Sequence, residues 1–228
     1  MLLPTRRRVY LLRHGDVSYF PEGRPVPPEE VPLNDEGRQQ ADAAARALAE
    51  VPFDRAISSG LPRTDETATI VIGERELAVE VVPALREFRP GRLNDIPAED
   101  LRGAFTQALT RPLTASDRFL GGESFGALQA RVLPAFHAIV GDRSWQRLLI
   151  VAHGAVNRVI LADVLGVGLE SFGHLEQDPA CINIFDLDER SYGIVRLLNY
   201  TPYSAVKTGI ELTSMERYFL EYQPPHGG

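Results

Sequence analysis

Two histidines in this sequence stand in matching surroundings. The apolar run Val9-Tyr10-Leu11-Leu12 stops at Arg13-His14-Gly15, and the run Leu148-Leu149-Ile150-Val151 stops at Ala152-His153-Gly154. A neutral imidazole is a nucleophile and a proton carrier. The arginine offers a permanently charged fork that fits phosphate oxygens, and the glycines let a ligand approach the backbone closely. If a helix opens after His153, its free amides, Ala155 among them, face an anion. A lone histidine is more often a surface or satisfied core residue; the repeated setting points instead to oxyanion chemistry. Arg63 adds to this, because it falls in the first turn of a predicted helix, where a cation opposes the helix dipole unless an anion is near. Glu87, set between Arg86 and Phe88-Arg89, reads on its own as a solvated carboxylate. The competing use of these groups is a metal site built from His14, His153, Asp16 and Glu87. No HExxH or paired CxxC spacing supports it, and the arginines would repel a divalent cation, so no metal or cofactor is expected. His137, His174 and His226 read as bland, Glu123 as a carboxylate stabilising a helix start, and Cys181 as a small buried hydrophobe.

Such groups need a frame. The two apolar runs read as buried strands that end in functional loops. Further strands are expected at Phe53–Ser58 and Val79–Val82, and a β-hairpin over Ile182–Leu187 and Ile194–Leu198. Helices are expected from Asn34 or Asp35 to Glu50, from the turn at Ser59–Arg63 to Gly73, over Ser124–Val140 and over Val156–Leu165. The alternation implies an α/β doubly wound, three-layer α/β/α fold with a mostly parallel central sheet, in which ligands bind beyond the carboxyl ends of the strands. Residues 21–32 hold five prolines and read as a surface excursion. Residues 84–122 read as a partly helical flap. The main domain spans 1–204, and 205–228 is a C-terminal appendage.

The 228 residues are 44% hydrophobic and 24% charged, ordinary globular usage that excludes disorder and fibrous folds. The net charge of −7 disfavours nucleic acid as a partner, since that surface must displace counterions. No apolar run approaches membrane-spanning length, and the one after Arg6-Arg7-Arg8 is too short for a secretory leader. One cysteine cannot form an internal disulfide, which fits a reducing, cytoplasmic setting.

Several blocks together carry a family resemblance. Leu11-Leu12-Arg13-His14-Gly15 resembles the defining motif of the histidine phosphatase superfamily, also called phosphoglycerate mutase-like. Pro32 to Ala41, Ser58 to Ala68, Leu85-Arg86-Glu87-Phe88, Gly121-Gly122-Glu123-Ser124 and Val151-Ala152-His153-Gly154 follow in the family's order. The resemblance implies that His14 attacks phosphorus and carries a phosphohistidine, which water then hydrolyses. It implies that Arg13, Arg63 and His153 surround the phosphoryl group, with the Ala155 amide beside them, and that Glu87 protonates the leaving alkoxide. The expected function is a phosphomonoesterase acting on a small phosphorylated metabolite.

The sequence also departs from the family pattern. The asparagine expected soon after the first motif is replaced by Phe20, and the family's glycine-tryptophan-glutamate-glycine stretch by Gly91-Arg92-Leu93-Asn94-Asp95. Tyr19, Phe20 and Phe88 suit either a leaving group less polar than phosphoglycerate or packing beneath the flap. Gly154 stands where one branch of the superfamily places an acidic aspartate, which points to the branch using Glu87. The histidine-tyrosine-glycine stretch of phosphoglycerate mutases is missing after Glu87, which favours phosphatase over mutase. A catalytically quiet phospholigand-binding or interaction module, using Glu211–Leu220, is the remaining alternative, and a homodimer is compatible with that segment.

Overall fold

The computed structural model describes residues 6–21 and 26–222; His226, the end of the tail and part of the proline-rich excursion lie outside them. Six strands form one sheet: β1 (Arg7–Arg13), β2 (Arg55–Ser58), β3 (Val79–Val81), β4 (Arg147–Ala152), β5 (Ile182–Leu187) and β6 (Gly193–Tyr200). Their order is β3-β2-β4-β1-β5-β6. The pairings β3–β2, β2–β4 and β4–β1 are parallel, while β5 runs antiparallel to both β1 and β6. The mostly parallel sheet and the terminal hairpin match the expectation from sequence.

The helices are α1 (Asp35–Ala47), α2 (Pro62–Ile72), α3 (Leu101–Thr110), α4 (Phe125–Gly141), α5 (Gly154–Leu165) and α6 (Ser214–Tyr222). Side-chain alternation along the central strands decides the layers. Val9 and Leu11 of β1, with Leu148 and Ile150 of β4, face α4 and α5 through Val132, Phe136, Val156 and Ile160. Tyr10, Leu12, Leu149 and Val151 face the other way, onto Ala44 of α1 and Ala68, Val71 and Ile72 of α2. The chain leaving β1 therefore reaches a helix on one face, and the chain leaving the adjacent β4 reaches a helix on the opposite face. That divergence opens a crevice at the carboxyl ends of β1 and β4.

Local signals place the elements around the crevice. Asn34 caps α1, its side chain accepting from the Gly37 amide at 2.7 Å, and Ser124 caps α4 through the Ala127 amide at 3.1 Å. Residues 83–122 hold α3 and 3₁₀ turns at Pro83–Leu85, Leu93–Asp95 and Phe119–Gly121. The described part of the tail contains α6, which lies against α3 through Phe105, Phe219 and Tyr222. The loop after β1 is pressed onto the start of α1: a Cβ on Gly37 would lie 2.1 Å from the Asp16 carbonyl oxygen.

Backbone meets backbone there, so relief requires the His14 loop or α1 to move. Gly37→Ala is expected to lower unfolding stability by about 1–3 kcal/mol in urea titration, compared with about 1 kcal/mol for removal of the cap in Asn34→Ala. An unchanged midpoint for Gly37→Ala would contradict the close approach.

Candidate active site

Register brings the two histidines together. Arg13 pairs with Ala152 across β1 and β4, so the next residue on each strand is a histidine. The His14 amide donates to the Ala152 carbonyl at 3.0 Å. The two imidazole rings stand 5.2 Å apart, centre to centre, at 63°. Both are shut from solvent, with His14 1% and His153 0% exposed.

His14 Nδ1 lies 2.7 Å from the Gly15 carbonyl oxygen. A carbonyl only accepts, so Nδ1 carries the proton and Nε2 keeps its lone pair. Arg63 Nε donates to that lone pair at 3.3 Å. Burial, then Arg63, then Arg13 hold the His14 pKa well below its usual value. Burial and the same cationic neighbours depress His153 likewise. Both rings are therefore neutral at pH 7. His153 Nε2 meets the Ser59 hydroxyl at 2.8 Å, while its Nδ1 is buried without a hydrogen-bond partner. The Ser59 hydroxyl also meets the Thr64 hydroxyl at 2.9 Å, and Thr64 donates to the Leu61 carbonyl at 2.8 Å.

The arginines are buried to an unusual degree, Arg13 4% and Arg63 1% exposed. Among the described residues neither makes a salt bridge. Arg63 Nη1 donates to the Pro28 carbonyl at 2.6 Å. Arg13 donates through Nη1 to the Gln177 carbonyl at 2.6 Å and to the Ser214 hydroxyl, and through Nη2 to the Tyr218 hydroxyl at 2.8 Å. Its Nε has no partner. Buried guanidinium groups held only by neutral partners form a site short of negative charge.

Glu87 reaches the start of α5, its Oε2 accepting from the Ala155 amide at 3.3 Å and its Oε1 from the Phe88 amide at 3.0 Å. The amide expected to face an anion thus meets the Glu87 carboxyl at the rim of the pocket. Glu123 does more than stabilise a helix start. It holds Arg131 of α4 through two oxygens at 2.8 and 3.0 Å. Arg131 in turn donates to the Ala84, Arg86 and Glu87 carbonyls at 2.8, 2.6 and 3.0 Å. That clamp fixes the backbone from which Glu87 projects.

Sequence reasoning missed Arg131, Ser214, Arg217 and Tyr218. Ser214 and Tyr218 sit four apart, one face of a helix, which was a signal for a shared role but not for the surface they meet. Arg217 Nη2 donates to Asp16 Oδ1 at 3.0 Å, and Asn34 Nδ2 donates to Asp16 Oδ2 at 2.8 Å. With Asp16 so engaged, no group of three or more His, Cys, Asp and Glu converges as metal ligands among the described residues. His137 pairs with Asp163 at 2.8 Å, away from the pocket. Cys181 is fully buried, and burial pushes its thiol up to about 12.

The family model for the histidine phosphatase superfamily (branch 1) matches residues 9–200, and the chain belongs to this superfamily. It is 27% identical over 199 residues to the adenosylcobalamin/alpha-ribazole phosphatase of Escherichia coli K12, covering 84% of this chain and 95% of that one. It is 30% identical to a protein of Salmonella paratyphi A named "Probable phosphoglycerate mutase GpmB", covering 81% of this chain and 87% of that one. The alpha-ribazole phosphatase structure from Shigella flexneri superposes with a TM-score of 0.71 at 27% identity, covering 85% of this chain and 96% of that one. No helix among the described residues is long and apolar enough to cross a membrane.

The depressed imidazoles bear on stability. Between the unfolded value near pH 6.5 and the lower folded value, the unfolded chain binds more protons, so stability rises with pH and is lost as pH falls. Each ring contributes a slope of up to about 1.4 kcal/mol per pH unit in that window. Urea unfolding of the wild type from pH 7 to 5 should therefore fall more steeply than that of His153→Gln. Parallel curves would contradict the buried, neutral ring.

Proposed function

We propose that this chain is a metal-independent phosphomonoesterase that acts on a small phosphorylated metabolite through a phosphohistidine on His14. The observation that carries this reading is the neutral, buried His14. Its proton is fixed on Nδ1 by Gly15, and its Nε2 lone pair meets Arg63. In the first step Nε2 forms a bond to phosphorus and the ester P–O bond breaks. Glu87, in its acid form, gives its proton to the departing alkoxide. In the second step water attacks phosphorus, Glu87 accepts the water proton, and the P–N bond breaks to return the lone pair to Nε2. Arg13, Arg63 and His153 are the groups for the equatorial oxygens, where charge spreads in the transition state. Each such preorganised donor is worth about 3–4 kcal/mol in comparable sites. The phosphoryl dianion would also supply the negative charge that Arg13 and Arg63 lack.

The alpha-ribazole phosphatases among the relatives favour hydrolysis of a small ester. The relative bearing a mutase name favours a second reading, transfer of phosphate between positions of one substrate in the same pocket. The two readings differ in product, since only hydrolysis releases free phosphate. A cytoplasmic setting suits the buried, unpaired Cys181.

Wild-type protein should hydrolyse 4-nitrophenyl phosphate in the presence of EDTA, and His14→Ala should not; abolition by the chelator would sink the metal-independent mechanism. Rapid quenching during turnover should trap phosphate on His14, detectable by mass spectrometry. Glu87→Gln should slow alkyl phosphates by about 10²–10⁴-fold and 4-nitrophenyl phosphate much less, because nitrophenolate leaves without a proton. Equal losses on both esters would remove Glu87 as the proton donor.

A further inference from the structure

The pocket that holds the phosphoryl end has a volume of about 420 Å³ in all and continues well beyond that end. That volume lies in the range of sites that enclose a drug-sized ligand and exceeds the needs of a phosphoryl group and a short polar alcohol. Arg13, His14, Arg63 and Glu87 line one end of it. The rest is walled chiefly by aromatic rings: Phe20 from the β1 loop, Phe88, Phe105 and Phe119 from the flap, and Tyr218 and Tyr222 from α6. Phe88 and Phe119 stack at 5.0 Å and 19°, and Phe105 and Tyr222 lie 6.1 Å apart at 30°.

The charge inventory of these walls is as informative as the rings. Besides Arg13 and Arg63, the lining arginines are Arg158 and Arg92. Arg158 is committed to the Leu175 carbonyl at 2.7 Å and to Glu176 at 2.6 Å. Arg92 and its neighbour Asn94 are exposed, so they sit on the solvent side of the mouth. Among the described residues, the interior of the cavity thus offers no uncommitted cation to a carboxylate or a second phosphate. A sugar or glycerate would lose the water on its hydroxyls there for few replacement hydrogen bonds, the polar side chains besides those that hold Arg13 being Gln107, Tyr19 and Tyr222.

We propose that this cavity is the leaving-group site, and that the substrate is a monophosphate ester whose alcohol carries a flat, apolar ring system. The inference rests on the phosphomonoesterase reading of His14 and specifies its substrate class. The ring inserts between the flap and α6, and the ester oxygen meets Glu87 at the boundary between the charged and the aromatic halves of the pocket. Aromatic walls favour a planar guest because offset and edge-on ring contacts add to the area buried. The walls come from the flap and α6 rather than from the sheet.

The test compares 3-phenylpropyl phosphate with propyl phosphate, two esters whose alcohols are matched in basicity by the intervening methylenes. The wild type should show kcat/KM about tenfold to a hundredfold higher for the phenyl ester, the effect of burying one ring. Tyr222→Ala removes a wall and Ala104→Phe fills the cavity from α3; neither residue belongs to the phosphoryl machinery. Both variants should erase the advantage while leaving propyl phosphate turnover unchanged. Equal kcat/KM for the two esters in the wild type overturns the proposal, as does a parallel loss on both esters in variants that keep their melting temperature. If neither ester is hydrolysed, the phosphomonoesterase reading fails on its own. Calorimetry with 3-phenylpropylphosphonate and propylphosphonate then decides the cavity question: tighter binding of the phenyl compound supports the aromatic site, and equal binding overturns it.

Discussion

The hydrogen-bonded register between β1 and β4 is the constraint on which the site depends. Because Arg13 lies opposite Ala152, His14 and His153 leave the sheet side by side. The helices that follow diverge to opposite faces, so neither of them fills the space above the pair. A slip of one residue would turn His14 to the other face of the sheet and bury Arg13 in an apolar layer. The apolar alternation of Val9 to Leu12 and Leu148 to Val151 between two cores penalises that slip. The meeting of the two histidines is here a by-product of packing that any three-layer fold of this kind must satisfy.

Electrostatic strain is the complement of that geometry. Two guanidinium groups and two imidazoles share one desolvated space, and each arginine depresses the imidazoles. Neutral oxygens of Gln177, Ser214, Tyr218 and Pro28 orient the cations without cancelling their charge. Such an arrangement costs stability in the empty protein and returns it when a dianion enters. For the proposed reaction, groups held in place in this way leave little reorganisation.

Much of this was legible in the sequence because the signals were local. Strands ending at Arg13-His14-Gly15 and Ala152-His153-Gly154, the capping residues Asn34 and Ser124, and the ill-placed cation Arg63 each reveal themselves within a few residues. Arg131 did not, because the Ala84, Arg86 and Glu87 carbonyls it binds are distant in the chain and carry no side-chain signature. Glu123 was read as a plain helix-start carboxylate for the same reason. The role of α6 was hidden too: an amphipathic helix shows that it has a buried face but not which surface buries it. The aromatic departures at Tyr19, Phe20 and Phe88 were visible, yet only the arrival of Phe105, Phe119 and Tyr222 from three other segments turns them into a cavity.

The contacts between α6 and Arg13 have a consequence for biosynthesis. Domains form as the ribosome delivers them, amino-terminal portions first. All six strands and the paired histidines precede residue 201, but Ser214 and Tyr218, which hold the Arg13 guanidinium, are translated afterwards. A nascent chain can therefore complete its sheet while the Arg13 guanidinium is still unsecured. Completion of the pocket is deferred until α6 clears the exit tunnel and docks.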